Sequence, residues 1–157
     1  MSTGIVLAGF ESDEPMQLDH AYQVSGGIQG ALLEIEDLID AEMVIVCEKF
    51  SPRPGARSWK LAELEPLRIE GALEAIYGDR IYWRKPEQRK LVRDLPTTEH
   101  FLKANGYWTS PKDVGRKDAD DANAATMHAL GYLRDRAHRP TIDMLIHYGD
   151  TMTEELV

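Results

Sequence analysis

The chain has 157 residues, a length typical of one domain, with 43% hydrophobic and 29% charged residues. This composition excludes a disordered or collagen-like chain, and no apolar run approaches the ~18 residues that a membrane span needs. The single cysteine excludes a disulfide framework and a cysteine-rich zinc site. We therefore expect one domain over residues 1–157, located in a reducing cytoplasm and without a membrane segment.

Charge is distributed unevenly along the chain. The formal net charge is −9, yet residues 1–48 contain no lysine or arginine, and all 18 basic residues follow them. Two segments, 49–60 and 80–93, are rich in basic residues. Such local patches indicate a polyanion-binding surface despite the acidic total, with solvated basic faces as the alternative.

The first half of the chain predicts strands followed by helices. The apolar run at 4–10 predicts a strand, and the imperfect alternation at 17–24 predicts its returning hairpin partner. Apolar spacing over 28–39 predicts an amphipathic helix. The continuous β-branched run at 43–47 is typical of a strand buried in a sheet that helices cover, and a second helix is expected over 61–77.

The second half predicts mainly helices. A short strand is expected at 81–83, and a helix is expected to begin at Pro86, because proline is tolerated in a first helical turn. Residues 100–107 and 121–136 have helical patterns, whereas 112–117 is predicted to be a basic, glycine-containing loop. Strands that alternate with helices predict an α/β layered fold with a mixed β-sheet flanked by helices.

Glu48 is the first candidate for a functional residue. It directly follows the apolar strand, and the carboxyl ends of strands are the usual place for sites in open α/β sheets. The alternative is a strand-end glutamate that reaches solvent or pairs with Lys49.

A second group of carboxylates precedes the last predicted helix. Asp118 and Asp121 have the i, i+3 spacing that places two side chains on one helical face, while Asp120 points away from Asp118. Two neighbouring carboxylates suit a divalent cation such as Mg²⁺. The alternative is that these acids only stabilise a helix N-terminus.

Together these motifs resemble a known family. The segment VIVCE ending at Glu48, the spacing of Trp83, Pro86 and Lys90, and the segment KDADDA beginning at Lys117 resemble the RuvC-like Holliday junction resolvases. The resemblance is to the phage-encoded branch of that family, within the RNase H-like superfamily, and covers residues 4–135. It implies an RNase H-like fold and, for a phage-encoded protein, the host cell cytoplasm.

The resemblance implies catalytic residues and a cofactor. Glu48, Asp118 and Asp121 match the family's catalytic, metal-binding carboxylates, with Mg²⁺ as the expected cofactor and Mn²⁺ as the alternative. The chain departs from the family at its start: the first family strand, with the aspartate that it carries, has no counterpart before Thr3 and Gly4.

The basic segments supply candidate DNA contacts. Aromatic residues among basic ones suit stacking on unpaired bases, and lysine and arginine suit phosphate contacts that read DNA shape. For the aromatic residues the alternative is a place in the core. The expected DNA-binding residues are Lys49, Phe50, Arg53, Arg57, Lys60, Arg84, Lys85, Lys90 and Lys117.

The sequence thus predicts a structure-selective DNA endonuclease that resolves Holliday junctions and related branched DNA by metal-dependent phosphodiester hydrolysis. Flaps and forks are further candidate substrates, and two paired cuts in a symmetric junction imply a homodimer. Because the family's first aspartate is missing, a branched-DNA-binding protein with weak or lost catalysis is the alternative. A scaffold that serves protein interaction alone is the third reading.

Overall fold

A computed structural model describes residues 2–49, 61–91 and 98–156, and its first feature is a long antiparallel hairpin. Strand β1 (Ser2–Glu11) pairs with β2 (Glu14–Ser25), from Ser2 opposite Ser25 to Glu11 opposite Glu14. Both predicted strands are confirmed, and each is longer than its apolar pattern. The hairpin ends at Gly26, whose positive φ of 97° suits glycine and turns the chain into the first helix.

Two helices and two parallel strands follow the hairpin. Helix α1 (Gly27–Leu38) packs on α2 (Leu61–Tyr77), and strand β3 (Ile45–Glu48) pairs in parallel with β4 (Ile81–Arg84). Each was predicted. A small core forms here because the apolar stripes of both helices meet the strands, and its buried members are Ala31, Ile69 and Leu73.

The described strands do not form the single mixed sheet that the sequence predicted. They form two separate two-stranded sheets, β1–β2 and β3–β4. Helix α5 (Asp120–Asp135) packs against both, lying mainly on β1 and also contacting β2 and β3. The chain is therefore a mixed α/β protein, and the RNase H-like fold stays a prediction.

Shorter elements differ from the predictions in their extent. The expected helix from Pro86 is only a 3₁₀ turn, Pro86–Arg89, and the expected loop at 112–117 begins inside a short helix. A long C-terminal helix was not predicted at all. The remaining elements are a 3₁₀ turn at Gly78–Arg80 and the helices α3 (Thr98–Ala104), α4 (Pro111–Val114) and α6 (Arg139–Leu156).

The larger core lies between α3, α5, α6 and the hairpin. Tyr107 is buried there, and its hydroxyl donates a 2.7 Å hydrogen bond to the carbonyl of Met16, so the polar end of the ring is satisfied. This core explains why α5 is so deeply buried. Its buried members are Met16, Phe101, Leu102, Tyr107, Met127, Leu130, Leu133 and Tyr148. Among the described residues, no helix combines the length and the apolar character that crossing a membrane requires.

Candidate functional site at the carboxyl end of the parallel strands

Glu48 lies at the end of β3 and accepts hydrogen bonds from an arginine and a histidine. Arg89 donates from Nε to Oε2 at 2.6 Å and from Nη2 to Oε1 at 2.5 Å, and His128 Nε2 lies 2.6 Å from Oε2. Partial burial would raise the pKa of Glu48, but the hydrogen bonds from His128 and Arg89 outweigh it and lower the pKa from 4.5 to about 2. Glu48 is therefore a stable carboxylate.

A buried chain of hydrogen bonds positions His128 against Glu48. Arg84 donates from Nε to His128 Nδ1 at 3.1 Å, from Nη1 to Asp135 at 2.6 Å and from Nη2 to the carbonyl of Gln88 at 2.8 Å. A guanidinium can only donate, so His128 Nδ1 accepts and the ring proton lies on Nε2, facing Glu48. These partners assign the tautomer. The α5 backbone makes room for Arg84 at Gly131, where a Cβ would overlap the guanidinium.

The position of Arg84 corrects one predicted DNA contact. Its side chain is 1% exposed, and its donors are engaged by His128, Asp135 and Gln88. It follows the apolar strand residues of β4 and turns inward, because its charge is compensated there by Asp135. Arg84 is therefore a structural residue and cannot contact a phosphate in this arrangement.

Asp118 lies just before α5 rather than on it. The helix begins at Asp120, so the expected i, i+3 alignment of Asp118 with Asp121 on a helical face is wrong. Buried Gln23 of β2 donates from Nε2 to both the carbonyl and Oδ1 of Asp118, at 3.0 and 3.1 Å. The hydrogen bond from Gln23, followed by one from the backbone of Asp120, lowers the pKa of Asp118.

Asp121 is exposed in the first turn of α5, next to the start of β1. Ser2 donates a 2.6 Å hydrogen bond from Oγ to Asp121 Oδ2. The two backbones approach closely at Gly4, where a Cβ would overlap the carbonyl group of Asp121 and the nitrogen of Ala122. Glycine at this position thus allows strand and helix to meet, and the contact determines where Asp121 lies.

Arg89 links Glu48 electrostatically to Asp121. The hydrogen bond to Glu48 raises the pKa of Arg89 most, partial burial lowers it, and the charges of Glu48 and Asp121 raise it further. Across the described ranges, no three His, Cys, Asp or Glu side chains lie close enough together to hold a metal ion. The assignment of Glu48, Asp118 and Asp121 as catalytic metal ligands therefore stays a prediction.

Two of the predicted basic contacts lie beside Glu48. Lys49 follows Glu48, Lys85 follows its strand partner Arg84, and the Lys49 amide donates to the Arg84 carbonyl at 2.7 Å, so both lysines emerge at the same end of the sheet. Lys49, Lys85, Lys90 and Lys117 are all exposed. The predicted contacts Phe50, Arg53, Arg57 and Lys60 fall outside the residues that the structure describes.

The sequence patterns did not identify the side chains that hydrogen-bond to Glu48 and Asp118. His128 lies two helical turns after Asp121, a spacing that returns a side chain to the same helix face, and this signal could have identified it. Arg89 stood out only as one charge in a basic segment. Gln23 had no sequence signal, because its role depends on how the hairpin meets the loop before α5.

No protein-family model, curated protein or solved structure matches this chain. The resemblance to the RuvC-like family therefore stays a prediction from the sequence.

Proposed function

We propose that this chain is a divalent-metal-dependent DNA endonuclease of RuvC-like type, with an RNase H-like fold, that acts on Holliday junctions and related branched DNA. One observation carries the proposal: carboxylates from distant parts of the sequence act on one cationic position at the carboxyl end of the parallel strands. Glu48 binds Arg89 directly, and Asp121 acts on the same guanidinium through its charge.

The donor set suits the proposed metal. Glu48, Asp118 and Asp121 offer only carboxylate oxygens, the ligands that Mg²⁺ prefers, and the guanidinium of Arg89 supplies a stand-in cation on Glu48. Among the described residues these three do not form a closed ligand group. In the proposal they would hold the metal together with water and substrate phosphate oxygens, because Mg²⁺ usually takes only one or two carboxylates. The chemistry that a bound Mg²⁺ supplies is activation of a water and neutralisation of charge at the scissile phosphate.

Neighbouring side chains of the protein would orient the three carboxylates. His128 orients Glu48 through Nε2 of a neutral imidazole. Arg84 fixes the orientation of that ring by donating to its other nitrogen, Nδ1. Gln23 and Ser2 orient Asp118 and Asp121 in the same way from the hairpin. Such partners restrict the rotation of carboxylates that would otherwise sample many rotamers, which favours a preorganised site.

The exposed lysines support DNA as the partner. Lys49 and Lys85 emerge beside Glu48, so phosphates that they bind would run past the carboxylates. A symmetric four-way junction requires two cuts related by a two-fold axis, and we therefore propose a homodimer as the active form.

The direct test is cleavage of synthetic DNA. Four-way junction, flap and linear duplex would be incubated with the protein in Mg²⁺, in Mn²⁺ and in EDTA. We expect metal-dependent cleavage of the branched substrates. Glu48→Gln and Asp121→Asn should each reduce the rate by orders of magnitude while retaining junction binding, because loss of a negative charge beside phosphate reduces repulsion.

Asp143→Asn is the matched control, since Asp143 is an exposed carboxylate of α6 that pairs only with Arg139 among the contacts described. It should cleave like the wild type. Wild-type rates in Asp121→Asn would show that the site is elsewhere.

A second candidate is a branched-DNA-binding protein without catalysis. It is favoured by the fact that both carboxylate oxygens of Glu48 accept hydrogen bonds from Arg89 or His128. Tight, salt-sensitive junction binding with no cleavage in either metal would select this alternative. The absence of binding to any branched DNA would instead favour an interaction scaffold.

A further inference from the structure

We infer that Arg89 is a built-in counter-ion of the carboxylate site, which a divalent metal must displace from Glu48 before it can bind. The inference rests on the proposed metal site and describes how access to that site is regulated.

The first argument is the geometry of the ion pair. Arg89 uses Nε and Nη2 together on the two oxygens of Glu48, at 2.6 and 2.5 Å. Such a two-pronged contact occupies the directions from which a metal would approach a carboxylate. Arg89 and His128 together use three of the four lone-pair sites of Glu48, so a guanidinium left in place leaves little room for a metal, and the two cations repel each other.

The second argument is the contrast between the two partners of Glu48. His128 is 4% exposed at its side chain and is fixed by buried Arg84, whereas the Arg89 side chain is 47% exposed. Releasing His128 would disrupt the core. Releasing Arg89 breaks an ion pair at the surface, where water can solvate the freed guanidinium and the core stays packed.

The third argument is the position of Arg89 in the chain. It is the last residue of the Pro86–Arg89 turn, and Lys90 beside it is exposed. A displaced Arg89 would therefore enter a basic surface where a phosphate oxygen can replace the carboxylate as its partner. DNA binding would then favour metal binding, because phosphate would compete for the guanidinium.

Titration of the intact protein with Mn²⁺ alone, followed by the EPR signal of free Mn²⁺, tests the inference without DNA. Arg89→Gln should tighten Mn²⁺ binding by about threefold to fivefold, the range expected when a competing surface ion pair is lost. Arg89→Lys keeps the charge but not the two-pronged contact, and its affinity should lie between those of the wild type and Arg89→Gln.

Arg139→Gln is the matched control, since it removes an arginine from another exposed carboxylate pair, with Asp143. It should leave Mn²⁺ affinity unchanged, and the double variant Glu48→Gln/Arg89→Gln should lose the gain. Circular dichroism would establish that each variant is folded. Equal affinities in Arg89→Gln and the wild type, including no binding by either, would overturn the inference.

The same variants separate this inference from the proposed function. Tighter Mn²⁺ binding in Arg89→Gln without cleavage of any branched DNA would support the counter-ion and refute the endonuclease. Cleavage by the wild type, with Mn²⁺ affinity unaffected by Arg89→Gln, would support the endonuclease and refute the counter-ion.

Discussion

At the scale of single residues, the site is a set of carboxylates whose oxygens accept hydrogen bonds from side chains of other elements. Glu48 has Arg89 and His128, Asp118 has Gln23, and Asp121 has Ser2. Each partner is distant in sequence, so each contact exists only after the elements have packed. Local changes here should consequently alter both stability and the chemistry of the site.

The lowered pKa of Glu48 predicts a pH-dependent contribution to stability. Its folded pKa of about 2 lies below the ordinary 4.5, so the stabilisation is complete above about pH 4.5 and is lost as the pH falls towards 2. The difference in unfolding free energy between the wild type and Glu48→Gln should thus shrink between pH 5 and pH 3. Urea titrations at several pH values measure it, and a difference that stays constant over this range would contradict the assigned contacts.

Arg84 predicts a large loss of stability on substitution. Arg84→Gln leaves Asp135 without its buried cation and His128 without its donor, and should lower the unfolding free energy by about 3–5 kcal/mol. Arg84→Lys should not restore it, because one ammonium cannot reproduce three separately directed contacts. Urea denaturation would measure both variants. Arg139→Gln, which breaks an exposed pair, should cost no more than about 1 kcal/mol, and similar losses at the two positions would contradict the structural role of Arg84.

At the scale of elements, α5 organises the described structure, because the hairpin and the parallel strands both pack on it while forming separate sheets. Its first turn meets β1 at Gly4, and His128 two turns later meets β3 at Glu48. The distance between the carboxylates is therefore determined by how two sheets are arranged on one helix.

Two glycines of the same strand test the contact between β1 and α5. Gly4→Ala would place a Cβ inside the backbone of Asp121, and relieving this overlap should cost about 1–3 kcal/mol. Gly9→Ala is the control, since the nearest atom to its Cβ would be Asp19 Oδ2 at an ordinary 3.6 Å. Thermal unfolding should show a clear decrease for the first variant and a much smaller change for the second. Equal melting temperatures would show that β1 does not contact α5 as described.

At the scale of the whole molecule, the net charge of −9 opposes DNA binding, so the proposed affinity for DNA would have to come from local basic surface. If exposed Lys85 and Lys90 contact phosphates, the slope of log affinity against log salt should become shallower by about 0.9 for each contact removed on duplex-like arms. Fluorescence anisotropy with a labelled junction measures this for Lys85→Gln/Lys90→Gln.

The charge-matched control for that experiment is Lys103→Gln/Arg139→Gln, which removes two exposed basic residues of α3 and α6. It should leave the slope almost unchanged. Equal slopes in the two double variants would exclude the Lys85 and Lys90 surface from phosphate contact.

Most of the helices and strands follow from local sequence pattern. Periodicity of two or of 3.6 residues reports which face of a strand or helix is apolar, so β1, β2, α1, α2, β3, β4 and α5 could be placed from local pattern. The same reasoning located Glu48 at a strand end, because that position follows directly from the apolar run before it. Helix α6 was missed, although its apolar residues Met144 and Leu145 pack on the larger core.

The hydrogen-bond and ion-pair partners of the charged side chains depend on how distant segments pack together. Arg84 and Arg89 look alike in sequence, yet one is buried against His128 and Asp135 while the other pairs with Glu48 at the surface. The division into two sheets and the position of Asp118 before its helix likewise depend on contacts between distant segments. The physical reason is that hydrophobic periodicity encodes burial, a property of one element, whereas hydrogen bonds and ion pairs depend on the distance between two elements.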